Sequence, residues 1–214
     1  MSESIVERKP RPRNRVFIRL SGGRFFTVPL SETLPLESGA VLSDEEIEQL
    51  CRIDQYFRGR EKALRLLAIR ARTRHEIKNA LDGLNIMDSI RNGILDELRE
   101  KGLIDDRRFA HEYVRSRIEI KGLGPHRLKF ELEKRGVHPA VVGEVLESEI
   151  SSEEQEQVAR GLVMKKLAGQ NPTEKDVRRI SALLRRKGIE YEIVNRLTVE
   201  LLERARRQTH LTER

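Results

Sequence analysis

The chain has one cysteine, Cys51, and no tryptophan. A lone thiol excludes an internal disulfide and fits a reducing compartment. The five histidines are His75, His111, His126, His138 and His210. None forms an HxxxH pair and no CxxC occurs, so no zinc site is expected. Asp105-Asp106 reads as a helix cap rather than a metal-binding carboxylate pair. Neither GxxxxGK(S/T) nor GxGxxG is present, and Gly22-Gly23 and Gly122-Leu123-Gly124 are too short to cradle a nucleotide. The serines and the cysteine have no base partner at a recognisable spacing. The expectation is a protein without enzymatic activity, metal or cofactor. Aromatic residues make up only 4% of the chain, with three tyrosines. That scarcity argues against a chain that is mainly a base-stacking single-strand binder. No apolar run approaches the ~20 residues of a membrane span. The opening MSESIVERKPRPRNR lacks a following apolar core, so no signal peptide is expected. These absences point to a soluble, cytoplasmic protein, expected to be monomeric.

Charge is what the chain does have. Charged residues make up 36% and hydrophobic ones 37%, a balance suited to thin helical layers rather than one thick core. The net charge is +7 and the isoelectric point about 9.7, which suits an anionic partner. The excess is uneven: residues 1–24 carry seven basic and two acidic side chains, whereas residues 32–54 carry one and seven. Residues 153–214 carry fourteen basic and ten acidic side chains.

Residues 1–14, with Pro10 and Pro12 among basic residues, read as a flexible basic arm. Arg15–Pro29 alternates Val16, Ile18 and Leu20 with Phe17 and Arg19, turns at Ser21-Gly22-Gly23 and returns as Phe25–Val28. This hairpin is expected to be the only β-structure. It needs a packing partner, since an isolated hairpin is marginal in water. The following acidic helix supplies one: Ser43 and Glu46 form a capping box, and Ile47, Leu50 and Phe57 share a face.

From Gly59 onward the chain repeats. Ile77, Leu81, Ile86, Ile90 and Ile94 recur 51 residues later as Leu128, Leu132, Val137, Val141 and Val145. They recur again, a further 52 residues on, as Ile180, Leu184, Ile189, Ile193 and Leu197. Such a period marks an array of helical units. The spacing predicts helices over 60–71, 74–82 and 88–100, then 106–120, 125–135 and 139–149, then 153–168, 174–187 and 190–206. Thr73 with Glu76 and Ser151 with Glu154 are capping boxes, and Pro139 opens a helix. The turn after each second helix carries Gly136 and Gly188 in the later units, and Asn85 in the first. Asparagine is the next-best residue for a left-handed cap. The expected division is 1–14 arm, 15–58 hairpin and acidic helix, then repeats at 59–105, 106–152 and 153–207, with a tail at 208–214.

The middle unit has the sharpest punctuation. Asp105 and Asp106 cap a helix bearing Phe109, Ala110, Tyr113 and Val114; Gly122 and Gly124 end it, Pro125 opens the next, and Gly136 closes that. Phe109 and Tyr113, four residues apart, are expected in the core, with Arg117 one turn further on and paired to a glutamate. The series GLIDDRRFAHEYVRSR and KGLGPHRLKFELEKRGV resembles the RecX family of bacterial recombination regulators, over about residues 59–207. The resemblance implies an elongated, curved, all-helical array of three tandem three-helix repeats without catalytic activity. It also implies binding to the RecA recombinase filament on single-stranded DNA, along the filament groove. Such binding restrains ATPase activity, strand exchange and filament growth.

Basic faces recur in all three units and are the expected partner-binding residues. They are Arg65, Arg70 and Arg72 in the first unit, and Arg107, Arg108, His111, Arg115, Arg127 and Lys129 in the second. In the third they are Lys175, Arg178, Arg179, Arg185 and Arg186, with Lys187 continuing the stripe. DNA, single- or double-stranded, is a further candidate contact. The rival reading is a general nucleic-acid-binding helical-repeat protein, with steep salt dependence. An enzyme with an unrecognised site is a third.

Overall fold

The computed structural model describes residues 2–32 and 37–212; the side chains of Glu32 and of residues 208–212, and the last two residues of the expected tail, lie outside the description. Among the described residues are four strands and nine α-helices. The chain divides into two compact units, Met1–Ile104 and Asp105–Arg214.

The first unit opens with an antiparallel sheet of order β3-β2-β1-β4: β1 Glu3–Arg11, β2 Arg15–Leu20, β3 Phe25–Pro29 and β4 Val41–Leu42. The flexible arm and the sole hairpin expected from sequence are therefore corrected. Residues 3–11 pair with β2 from Ile5↔Leu20 to Arg11↔Arg15. Sequence reading missed this because the β1–β2 turn has no glycine; Arg13 and Asn14 take the left-handed conformation instead. The strand also buries one main apolar residue, Ile5. Ile5, Val16, Ile18, Leu20, Phe26, Val28 and Leu42 form one face, which packs with Ile47 and Leu50 of α1 (Asp44–Ile69). The capping box at Ser43 and Glu46 forms as expected. The backbone N–H of Thr27 donates to Asp54 of α1 at 2.9 Å, so the helix caps part of the β3 edge.

α1 runs unbroken for 26 residues. The boundary expected between 58 and 59 thus falls inside a helix. Its first half covers the sheet, and Ala63 in its second half joins the core of α2 (Arg74–Asp82) and α3 (Asp88–Glu100). Gly59 permits that approach: a Cβ there would lie 2.6 Å from the Ile94 side chain.

The second unit holds two further triplets: α4 Asp106–Lys121, α5 Pro125–Lys134 and α6 Pro139–Glu149, then α7 Ser152–Leu167, α8 Glu174–Lys187 and α9 Tyr191–Thr212. α9 thus extends through part of the expected tail. Each triplet has its own core. All fifteen aliphatic positions of the sequence repeat are buried or partly buried. Asn85, Gly136 and Gly188 have φ of 50°, 78° and 79°, so the asparagine adopts the left-handed cap that its place in the pattern requires. Asp105 accepts from the Arg108 N–H at 2.9 Å, and Pro125 opens α5 behind Gly124.

Candidate functional site

The basic faces expected from sequence divide into two electrostatic classes. On α4 and α5 they are largely neutralised by the fold. Arg107 pairs with Glu144; His111 Nδ1 and Arg115 Nε each lie 2.6 Å from Glu149. Arg127 pairs with Glu131 at 2.8 Å and Lys129 approaches Glu133 at 4.0 Å. Arg108 is exposed at the start of α4. In the first unit, Arg65 approaches Glu61 at 3.5 Å and Arg70 holds Glu76 at 3.0 Å. Arg72 donates to the Leu66 carbonyl at 3.3 Å.

The α8 cations differ. The helix is capped by Thr173 and Asp176, and it buries Val177, Ile180, Ser181 and Leu184. This leaves Lys175, Arg178, Arg179, Arg185 and Arg186 exposed on the other side. Among the described residues, none of these five has an acidic side chain within ion-pair distance. An unpaired cationic face is the kind that gains most from an anionic partner.

This helix meets α5 end to end. The Gly124 N–H donates to the Lys187 carbonyl at 2.8 Å and the His126 N–H to the Gly188 carbonyl at 3.2 Å. Orphan carbonyls at one helix end satisfy orphan amides at the start of another, and the dipole ends attract. Glycine is required on both sides: a Cβ on Gly124 would lie 2.3 Å from the Gly188 oxygen, and one on Gly188 2.3 Å from the Arg127 nitrogen. Beside the joint is a cleft of about 740 Å³, rimmed mainly by cations, Lys121, Arg127, Arg185, Arg186 and Lys187, with His126 and one carboxylate, Glu131. Its apolar lining is Leu123, Leu183 and Phe130, the last 54% exposed. Arg127 lies over the Phe130 ring at 5.5 Å. The sequence reading did not single out Phe130. The signal was present, since it falls off the Leu128–Leu132 stripe on a short amphipathic helix.

Phe109 is buried, with Tyr113 stacked beside it at 5.8 Å, as expected for core aromatics. The pairing expected for Arg117 is corrected: its guanidinium lies over the Tyr113 ring at 4.7 Å. Glu131 is taken instead by the Tyr113 hydroxyl and Arg127. Burial raises the Glu131 carboxyl pKa, but these hydrogen bonds prevail and leave it below its ordinary value.

Glu149 is the electrostatic anchor of α4 on α6. Arg115, then His111, lower its pKa from 4.5 to about 2 against the opposing effect of burial. The unfolded carboxyl takes up a proton first as pH falls, so the pair stabilises fully above about 4.5 and is lost toward about 2. Arg115 is 70% exposed, which limits the gain. Glu149→Gln is expected to cost about 1 kcal/mol at neutral pH. In urea unfolding, the gap from the unmodified chain is expected to shrink as pH falls from 7 to 3. An equal gap at both pH values would contradict the assignment.

Among the described residues no three His, Cys, Asp or Glu side chains gather as a metal site, and no helix is long and apolar enough to cross a membrane. Together the fold and the surface define a mostly helical protein with a small N-terminal sheet and an unpaired basic face beside a cleft. Residues 105–146 match the family model "RecX, second three-helix domain". The regulatory protein RecX of Thermobifida fusca is 38% identical over 152 residues, 70% of this chain and 82% of the relative. That of Mycolicibacterium smegmatis is 38% identical over 156 residues, 68% and 81% of the two chains. The crystal structure of RecX from Lactobacillus salivarius superposes with a TM-score of 0.62 at 26% identity, covering 69% of this chain and 97% of that one. A second crystal structure, of a regulatory protein RecX, shares the fold with a TM-score of 0.68 at 24% identity, over 90% and 97% of the chains. The chain belongs to the RecX family of regulatory proteins.

Proposed function

We propose that this protein binds the filament that the RecA recombinase forms on single-stranded DNA, in the cytoplasm and as a monomer. Bound there, it restrains ATP turnover, strand exchange and filament growth, with no covalent chemistry of its own. The observation that carries this reading is the unpaired basic face of α8, on a chain belonging to a family of regulators. The three triplets act as tandem repeats of one unit. Arg65, Arg70, Arg72, Arg107, Arg108, His111, Arg115, Arg127 and Lys129 are secondary contacts, because most would have to exchange an internal partner for an external one. Lys175, Arg178, Arg179, Arg185 and Arg186 are the primary ones.

Several weak contacts made together raise avidity without any one being strong. A ligand slows a filament only by binding its slow arrangement more tightly than its fast one. The test is RecA ATPase on single-stranded DNA with rising amounts of this protein. Turnover is expected to fall to a floor at saturation. Full turnover with the protein demonstrably bound would sink the proposal. Retention of RecA in a pull-down after nuclease treatment is expected if the contact is to protein rather than bridged by DNA.

A further inference from the structure

The sheet of the first unit has a second face that the core does not use. Because side chains alternate along a strand, register places Glu7, Arg19 and Phe25 in one row across β1, β2 and β3. The next row is Lys9, Phe17 and Thr27, and the next is Arg11, Arg15 and Pro29. This grid lies opposite Val16, Ile18, Phe26 and Val28, which fill the core. At its centre Phe17 and Phe25 stack diagonally, with centroids 6.1 Å apart and planes 28° from parallel. Arg11 covers Phe17 from 5.3 Å. Phe25 remains 67% exposed.

A bare aromatic ring on a sheet face costs solubility, and a neighbouring arginine explains only the ring it covers. The surroundings narrow what this ring suits. Arg19 is the cross-strand neighbour of Phe25 and Lys9 that of Phe17, and the two cations share a single carboxylate, Glu7. Arg11 is exposed and has no ion pair among the described residues. An open π-face with Arg19 beside it, and Lys9 and Arg11 beside the ring it stacks on, fits a partner that offers flat rings and negative charges at short spacing. Single-stranded nucleic acid offers both, since its bases are free to leave their neighbours. Duplex DNA keeps its bases stacked, and an acidic peptide offers charge without rings.

We propose that this outer face, centred on Phe25, is a stacking site for single-stranded nucleic acid. A base stacks on Phe25 while Lys9, Arg11 and Arg19 contact the flanking phosphates. The overall scarcity of aromatics concealed the site, because what matters is where two rings are placed. The site lies in the first unit and does not depend on the filament reading.

The chain has no tryptophan, so Phe25→Trp installs a single reporter at the site. Adding oligothymidylate to the full chain, without recombinase, is expected to quench that fluorescence. Quenching is expected to weaken on the order of tenfold between ~50 and ~200 mM salt, as a few phosphate contacts require. In parallel, Phe25→Ala is expected to weaken binding of a labelled oligothymidylate about tenfold or more by anisotropy. Phe25→Leu, which keeps apolar area but removes the π-face, is expected to resemble Phe25→Ala. The exposure of Phe25 makes these changes mild for folding, which circular dichroism checks. Absence of quenching, unchanged affinity in Phe25→Ala, or equal quenching by duplex DNA or polyglutamate would each overturn the proposal.

Discussion

Gly188→Ala is expected to destabilise the 105–214 unit by about 3 kcal/mol, on the order of 15 °C in unfolding midpoint. Two effects add. The residue has φ of 79°, which a side chain adopts at a cost of about 1 kcal/mol or more. The added Cβ would also stand 2.3 Å from the Arg127 nitrogen and 2.6 Å from its Cβ. Neither neighbour is the flexible end of a side chain, so relief requires α5 and α8 to separate. Separation breaks the Gly124-to-Lys187 and His126-to-Gly188 hydrogen bonds, and leaves amides and carbonyls unsatisfied. Gly161→Ala is the control. Gly161 lies within α7 with nothing within 4 Å of its added Cβ, so alanine there is expected to stabilise by about 0.5–1 kcal/mol. Thermal melting of the two variants checks both signs. A loss below about 1 kcal/mol in Gly188→Ala would mean that the joint is not tight.

Replacing Arg178, Arg179, Arg185 and Arg186 together with glutamate is expected to raise the concentration needed for half-inhibition of the filament ATPase by roughly a hundredfold. Each exposed charge contact contributes up to about 1 kcal/mol, and four reversals exceed the 2.7 or so that a hundredfold requires. The helix is expected to survive, because its cap and its buried face of Val177, Ile180 and Leu184 are untouched. Glutamates near the helix end cost a few tenths of a kcal/mol each through the dipole. The contrasting variant changes Arg107, Arg108 and Arg115 to alanine. It removes the Arg107 partner of Glu144 and the Arg115 partner of Glu149, which keeps His111, and is expected to act mainly on stability, with an effect on inhibition of only a few-fold. ATPase titrations alongside circular dichroism separate the two sets. A large loss from the α4 variant and none from the α8 variant would move the interface to α4.

Local rules made most of the helical architecture legible. Asp105, Pro125, Gly136 and Ser151 act on their own chain segment within four residues, so their roles follow from spacing. The aliphatic repeat was equally clear, since each position contributes to the core of its own triplet. The N-terminal strand was not. β1 owes its conformation to pairing with β2 and β4, and a partner strand leaves little mark on a polar segment's own composition.

The candidate surfaces show the same division. Periodicity placed Arg107, Arg115, Arg178 and Arg186 outside the core, and all four are exposed. It held no information on which would meet a carboxylate, because Glu144 and Glu149 reach α4 from a helix more than thirty residues away. The sequence by itself determined the helices, their caps, the apolar stripes and the family. Tertiary structure decided which cations remain unpaired, where Phe17 and Phe25 come together, and why Gly124 and Gly188 must be glycine. Helix signals act within a turn or two of chain, whereas charge pairing, ring stacking and backbone contact depend on distances set only when remote segments pack.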